Sequence, residues 1–200
     1  MKKIVLFTQR VEVIESYQER RDCADQRIAE YISKCGYVPV PVPNNPKYAI
    51  EIADRVGAAG IVLVGGNSLV KYGGNAPERD DTDKALIEYA VEHRLPLYGF
   101  CRGMQSILDY FGNDLVNVQG HVAKRHIVSG KNVEFEVNSY HNQACLELKT
   151  DSLETILLSS DGVIEKVRHK NYPIVGTMWH PEREKPFKDI DIDCLRKMIG

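Results

Sequence analysis

Leu95-Pro96-Leu97-Tyr98-Gly99-Phe100-Cys101-Arg102-Gly103-Met104-Gln105 carries an apolar run into a Gly-x-Cys-x-Gly turn. Leu95 to Phe100 is continuous rather than alternating, which reads as a strand buried on both faces, as in a parallel sheet. A helix is expected to follow from Gly103 to Phe111. The glycines permit a tight strand-to-helix turn, because side chains at Gly99 and Gly103 would crowd neighbouring elements. A cysteine in such a turn is the thiol form of a nucleophile elbow: a strained backbone leaves the sulfur exposed, and the positive end of the helix favours thiolate. The other reading of Cys101 is a small buried hydrophobe, the role given to Cys23, Cys35, Cys145 and Cys194. The flanking glycines favour the nucleophile.

Outward from this turn, apolar strands and amphipathic helices alternate. Lys3 to Phe7 and Ile61 to Val64 read as buried strands, and Val38 to Val42 as an extended run edged by Pro39, Pro41 and Pro43. Helices are expected over Asp22 to Cys35, ended by Gly36, over Tyr48 to Val56, and over Asp81 to His93. This is βαβ order, hence an α/β fold with a mainly parallel central sheet flanked by helices. Beyond Phe111 the pattern changes to short extended pieces: Lys124 to Val128, Val133 to Val137, Ile156 to Leu158, Val163 to Arg168 and Ile174 to Met178. These predict antiparallel hairpins and a return to the sheet. Ile190 to Ile199 closes the chain as a helix.

Composition narrows the function. With 200 residues, 43% hydrophobic and 27% charged, the chain is expected to form a single domain over residues 1–200. Twenty-six basic against twenty-eight acidic side chains give a charge of −2, which argues against nucleic acid or anionic membrane as partner. The apolar run before Thr8 is too short for a signal peptide, and no segment reaches the roughly 20 apolar residues of a membrane span. Five cysteines, an odd number without a CxxC pair, argue against both a disulfide framework and a zinc cluster. A cytoplasmic location is the expectation.

A cysteine nucleophile needs a base near neutral pKa, and six histidines compete for that role. His93 lies in a charged helix, His121 and His126 flank an expected hairpin, and His169 stands in a basic turn; all four read as solvated or locally bonded surface residues. His180 instead follows the apolar strand Ile174 to Met178, with Pro181 stopping the strand and Glu182 close enough to orient the imidazole. Acyl transfer also needs donors for a developing oxyanion. Gly65-Gly66 after a buried strand can present backbone N–H groups, and the N–H of Arg102 follows the nucleophile. Neither GxGxxG nor GxxxxGK[ST] is present, so a phosphate loop is disfavoured.

Elbow, His-x-Glu and Gly-Gly loop together resemble the class I glutamine amidotransferases, within their γ-glutamyl hydrolase branch. The likeness also runs through Pro77-Glu78-Arg79-Asp80, Asn138-Ser139-Tyr140-His141-Asn142-Gln143 and Asp161-Gly162-Val163-Ile164-Glu165. It implies Cys101 as nucleophile, His180 as general base then acid, Glu182 as its orienter, and backbone N–H groups of Gly66 and Arg102 as oxyanion donors. Gln105, His141, Asn142 and Gln143 occupy positions that in the family hold the glutamyl α-amino and α-carboxylate groups. Asn142 departs from the histidine that family members often carry. The implied substrate is a small γ-glutamyl amide, with neither metal nor organic cofactor.

Hydrolases and ammonia-supplying glutaminases share this chemistry. Cys-Arg-Gly at the elbow is similar to the free-standing γ-glutamyl hydrolases, whereas synthase-associated glutaminases resemble Cys-Leu-Gly or Cys-Tyr-Gly. An obligatory synthase partner is therefore not expected. Arg10, Arg20 and Arg21, with Tyr17, lie in a loop after the first strand at the rim expected of the site. They read either as phosphate ligands or as partners of Glu12, Glu15, Glu19 and Asp22.

Overall fold

The computed structural model describes residues 2–200. The chain runs β1 (Ile4–Phe7), β2 (Arg10–Ile14), β3 (Glu19–Cys23), α1 (Gln26–Lys34), β4 (Val38–Pro41), α2 (Pro46–Val56), β5 (Gly60–Leu63), α3 (Pro77–Glu92), β6 (Leu97–Phe100) and α4 (Arg102–Tyr110). Its second half runs β7 (Val116–Asn117), β8 (Val122–Gly130), β9 (Val133–Tyr140), β10 (Gln143–Ala144), β11 (Leu153–Ser159), β12 (Ile164–His169), β13 (Ile174–Thr177) and α5 (Asp189–Ile199). Nine strands form one sheet in the order β4-β1-β5-β6-β13-β12-β11-β8-β9. β4 to β13 in that order are mutually parallel, and β12, β11, β8 and β9 continue it antiparallel. The fold is thus α/β, as the strand–helix alternation predicts.

Side chains alternate across the parallel strands and divide the core into two layers. Val5, Phe7, Val62, Val64, Tyr98 and Phe100 pack with Ile28 and Ile32 of α1 and Ile192 and Leu195 of α5. Leu6, Ile61, Leu63 and Leu97 face the other way, onto Ala49 and Ala53 of α2, Leu86 and Ile87 of α3, and Ile107 and Leu108 of α4. Both faces are covered, which is why these strands read as unbroken apolar runs. Among the described residues no helix is long and apolar enough to cross a membrane.

Two expectations need correction. The segment after β1 is a β-hairpin, β2 paired antiparallel with β3, where a loop and the start of a helix at Asp22 were expected. β3 is exposed nearly throughout and β2 buries only Val11, so the apolar signal is weak; Glu12 faces Arg21 in register, while the ion pairs run along each strand, Arg10 with Glu12 and Arg21 with Glu19. α1 starts at Gln26, with the Asp25 carboxylate accepting from the Arg27 N–H at 2.9 Å. α3 starts at Pro77 rather than Asp81. Its inward face reads Arg79, Thr82, Asp83, Leu86, Ile87, Ala90, so its first turn and a half is buried but polar. Apolar periodicity cannot see such a turn.

β1 leads leftward to β4 while the following crossover returns to β5 on the other side, so the strand order reverses between β1 and β5. Crevices at the carboxyl ends of the strands near such a reversal are where α/β folds bind ligands.

Candidate active site

Three strand ends build the cleft. β6 delivers Cys101, β5 delivers the Val64–Asn67 loop, and β13, parallel to β6 with Thr177 opposite Phe100, delivers His180 three residues beyond. Cys101 has φ 51° and ψ −111°, a left-handed conformation that costs a non-glycine residue strain, and its N–H donates to the Thr177 carbonyl at 2.7 Å. The turn is this tight because α4 starts immediately and lies on β5. A methyl on Gly103 would stand 2.7 Å from the Leu63 carbonyl carbon, and one on Gly99 would stand 2.6 Å from the Gly103 carbonyl carbon.

His180 is 3% exposed. Its Nδ1 lies 2.7 Å from Glu182 Oε1, which fixes the ring and turns Nε2 away from the carboxylate. Phe100 and Tyr140 meet the ring edge-on at 5.7 and 5.6 Å. Its backbone is clamped by Asn138, whose Oδ1 accepts from the His180 N–H at 3.0 Å while Nδ2 donates to the His180 carbonyl at 2.9 Å. Arg27 holds the following turn by donating to the carbonyls of Glu182 and Glu184, both at 2.7 Å. Burial works against the imidazolium, but the charges and hydrogen bonds of Cys101 and Glu182 outweigh it and raise the pKa to about 9.

A methyl on Gly65 would lie 2.6 Å from His180 Cε1 and 3.5 Å from Cys101 Cβ, so glycine is what lets the loop pass over the pair. Gly66, at φ 89°, follows. The fully buried Arg79 guanidinium donates to the carbonyls of Val64, Gly65 and Gly66, binding the loop from below. Burial and the neighbouring Arg102 lower its pKa to about 9. Arg102 turns its side chain away from the cleft onto Asp80 and Asp83, with Ser106 Oγ donating to Asp83 at 2.8 Å. Neither the Gly66 nor the Arg102 N–H has an acceptor among the described residues, which leaves both available to a ligand oxygen.

Gly66, Cys101, Arg102, Gln105, His141, Asn142, Gln143 and His180 line one cleft of about 220 Å³, together with Tyr140 and Arg183. Glu182 stands behind His180. Gln105 Nε2 donates to the Gln143 carbonyl at 2.9 Å, and Gln143 Nε2 to the Tyr72 carbonyl at 3.0 Å, tying the cleft wall to α4 and to the loop after β5. Asn142 is exposed, and its carbonyl accepts from the Val118 N–H at 2.9 Å. His141 borders the cleft but its ring is buried.

Elsewhere the structure departs from the sequence reading. His121 and His169 are buried and His126 half-buried, where surface positions were expected; only His93 is exposed, stacked on Tyr89. His169 Nδ1 accepts from the N–H groups of Asn171 and Tyr172, a local turn satisfying a buried ring. Cys35 and Cys145 are buried, but Cys23 and Cys194 are half-exposed, since the hairpin and the outer turn of α5 cover them incompletely. Arg10 and Arg21 pair with Glu12 and Glu19, whereas Arg20 reaches across to Glu78 at 2.6 Å. Arg79, Asn138 and Arg27 carry no expected role in sequence; the first two lie within the stretches that carry the family resemblance, which is the signal that points to them.

The family described as glutamine amidotransferase class-I matches residues 19–190. The chain is 34% identical over 192 residues to a γ-glutamyl-CDP-amidate hydrolase of Campylobacter jejuni, covering 93% of each chain. It is 28% identical over 193 residues to a γ-glutamyl-γ-aminobutyrate hydrolase of Escherichia coli O157:H7, covering 76% of this chain and 75% of the relative. Among solved structures, a glutamine amidotransferase of Thermotoga maritima superposes with a TM-score of 0.77 at 14% identity, covering all of this chain and 99% of that one, a likeness of fold. A match across most of the chain, and a relative aligned nearly end to end, establish that this protein belongs to the class-I glutamine amidotransferase family.

Proposed function

We propose that the protein hydrolyses a γ-glutamyl amide through a thioester on Cys101. The observation that carries this reading is the buried His180–Glu182 pair beside a strained Cys101, under a glycine loop that admits both side chains. Cys101 sulfur attacks the γ-carbonyl, and the oxyanion is met by the N–H groups of Gly66 and Arg102. His180, cationic below about pH 9, gives its proton to the departing nitrogen as the C–N bond breaks. Neutral His180 then takes a proton from water, whose oxygen displaces the sulfur and releases glutamate. Gln105 and the backbone of the segment His141, Asn142 and Gln143 hold the α-amino and α-carboxylate groups of the glutamyl end.

The leaving group we favour is cytidine diphosphoramidate, so that the substrate is γ-glutamyl-CDP-amidate; such an activity would serve phosphoramidate decoration of a capsule. Supporting this are the relative aligned over 93% of each chain and two arginines, Arg183, which lines the cleft, and Arg10, whose side-chain stem lies beside Gly66. The arginines of the hairpin already have carboxylate partners, so they contribute through exchange of partners rather than as free cations.

The test is glutamate release by the purified protein alone from glutamine, γ-glutamyl-γ-aminobutyrate and γ-glutamyl-CDP-amidate. Preference for the CDP-amidate supports the full reading; equal rates on the γ-aminobutyrate amide would defeat the leaving-group assignment. Activity on glutamine that appears only when cell extract is added would instead indicate a glutaminase that supplies ammonia to a synthase. Cys101→Ala is expected to lower turnover by about 10⁴-fold or more, and Cys145→Ala to leave it nearly intact.

A further inference from the structure

Behind the cleft wall, a carboxylate and three imidazoles converge without satisfying one another. Glu165, on β12, is fully buried, yet neither of its oxygens has a hydrogen-bond partner. His126 Nε2, His141 Nε2 and His121 Nδ1 stand 3.1, 3.4 and 3.5 Å from the same oxygen, Oε1, and all three nitrogens are buried and unpartnered. A carboxylate oxygen offers two lone pairs, so three ring N–H groups crowding one oxygen while the other stays idle is poor hydrogen bonding. It is good coordination geometry. Donors about 2.0–2.1 Å from a tetrahedral ion lie about 3.3–3.4 Å apart, close to the 3.4 and 3.5 Å that separate the His141 and His121 nitrogens from Glu165 Oε1.

We infer that His121, His141 and Glu165 bind one divalent transition-metal ion of the zinc type, with the fourth position left to a water. Donor atoms of His121, His141 and Glu165 all lie within 4.8 Å of one another, and His126 Nε2 stands outside that set, beside Glu165 Oε1 at 3.1 Å. Imidazole and carboxylate donors suit zinc, whereas the hard oxygen-ligated cations disfavour a histidine set. The outer shell fits as well. His121 presents Nδ1 to the cluster while Nε2 meets Asp161 Oδ2 at 2.8 Å, and Ser159 Oγ donates to Asp161 Oδ1 at 2.5 Å; a carboxylate on the far nitrogen fixes the tautomer of a metal-bound histidine.

The three ligands come from separate places: just before β8, just after β9, and β12. The ion therefore cross-links the antiparallel extension directly behind Tyr140–Gln143 and sets where that wall stands. Its role is structural, and the reaction scheme does not run through it.

The test uses untagged full-length protein, stripped with chelator and titrated with Co(II), then Zn(II). Binding of one Co(II) per chain with the intense visible bands of a tetrahedral site is expected, with displacement by Zn(II). Excess Zn(II) at about a hundredfold over Kd should raise Tm by about 5–10 °C. Glu165→Gln and His141→Ala should abolish the bands, and the exposed His93→Ala should keep them. Because core variants can fail to fold, Asp161→Asn, at a largely exposed position, serves as the second variant: a loss of about 10- to 100-fold in metal affinity with Tm of the stripped protein unchanged is expected. Absence of a tetrahedral Co(II) spectrum in folded wild-type protein, or a spectrum that survives Glu165→Gln, would overturn the site and leave the cluster a proton-sharing network.

Discussion

His180 is pulled two ways, by burial that disfavours its charge and by Cys101 and Glu182 that favour it, and the second pull prevails. With its pKa raised to about 9, the imidazolium persists across neutral pH and is lost above it. The kcat/KM profile is therefore expected to fall on an alkaline limb near pH 9, and Glu182→Gln, which keeps an acceptor for Nδ1 but removes the charge, to move that limb down by about one unit or more. An unmoved limb would mean that Glu182 orients without tuning. Asp191 shows the opposite balance. Burial raises its carboxyl to about 6, against which the Trp179 N–H donating at 2.8 Å works only in part. Its folded pKa exceeds the ordinary value of 3.8, so the folded state holds a proton that the unfolded chain releases, and stability falls as pH rises from about 4 to 6. Asp191→Asn keeps an acceptor for Trp179. It is expected to stabilise the protein above pH 6 by up to about 3 kcal/mol, with little gain below pH 4, in urea unfolding at the two pH values.

At the scale of elements, the elbow works because α4 lies against β5 with only glycine between them. Gly103→Ala places a methyl 2.7 Å from the Leu63 carbonyl carbon and 2.9 Å from its Cβ, neither of which is a mobile side-chain end. Overpacking of this kind costs about 1–3 kcal/mol, so a lower urea midpoint together with reduced kcat is expected; unchanged stability would show that α4 can slide. The polar first half of α3 has the complementary task. Arg79 binds three loop carbonyls while Asp80 and Asp83 hold Arg102, so the charged face of one helix supports both the glycine loop and the base of the elbow.

Across the whole molecule, the parallel half supplies Cys101 and the glycine loop, and the antiparallel extension fixes His180. Asn138 on β9 bridges the two, with three hydrogen bonds to His180 and Glu184. Asn138→Ala leaves the buried His180 N–H without that acceptor, which costs about 1–3 kcal/mol. Lower stability together with a larger fall in kcat than in KM is the expected outcome in steady-state kinetics. A fall in stability alone would show that His180 holds its place without the clamp.

The parallel core and the elbow were legible in the sequence, because a strand buried on both faces must be apolar throughout and a tight turn over packed neighbours must carry glycine. Cys101, His180 and Glu182 could be picked out for the same local reason: each stands at the end of a strong apolar strand. The hairpin β2–β3 escaped notice because β3 is charged as far as Cys23 and β2 buries only Val11, and the start of α3 because its buried face is built from Arg79, Thr82 and Asp83. The buried set His121, His126, His141 and Glu165 belonged wholly to the tertiary structure. Its members are separated along the chain, and the resemblance that marks His141 and the stretch ending in Glu165 does not relate them to His121 and His126, so only the packing of β8, β9 and β12 against one another brings the three ring nitrogens around one carboxylate oxygen.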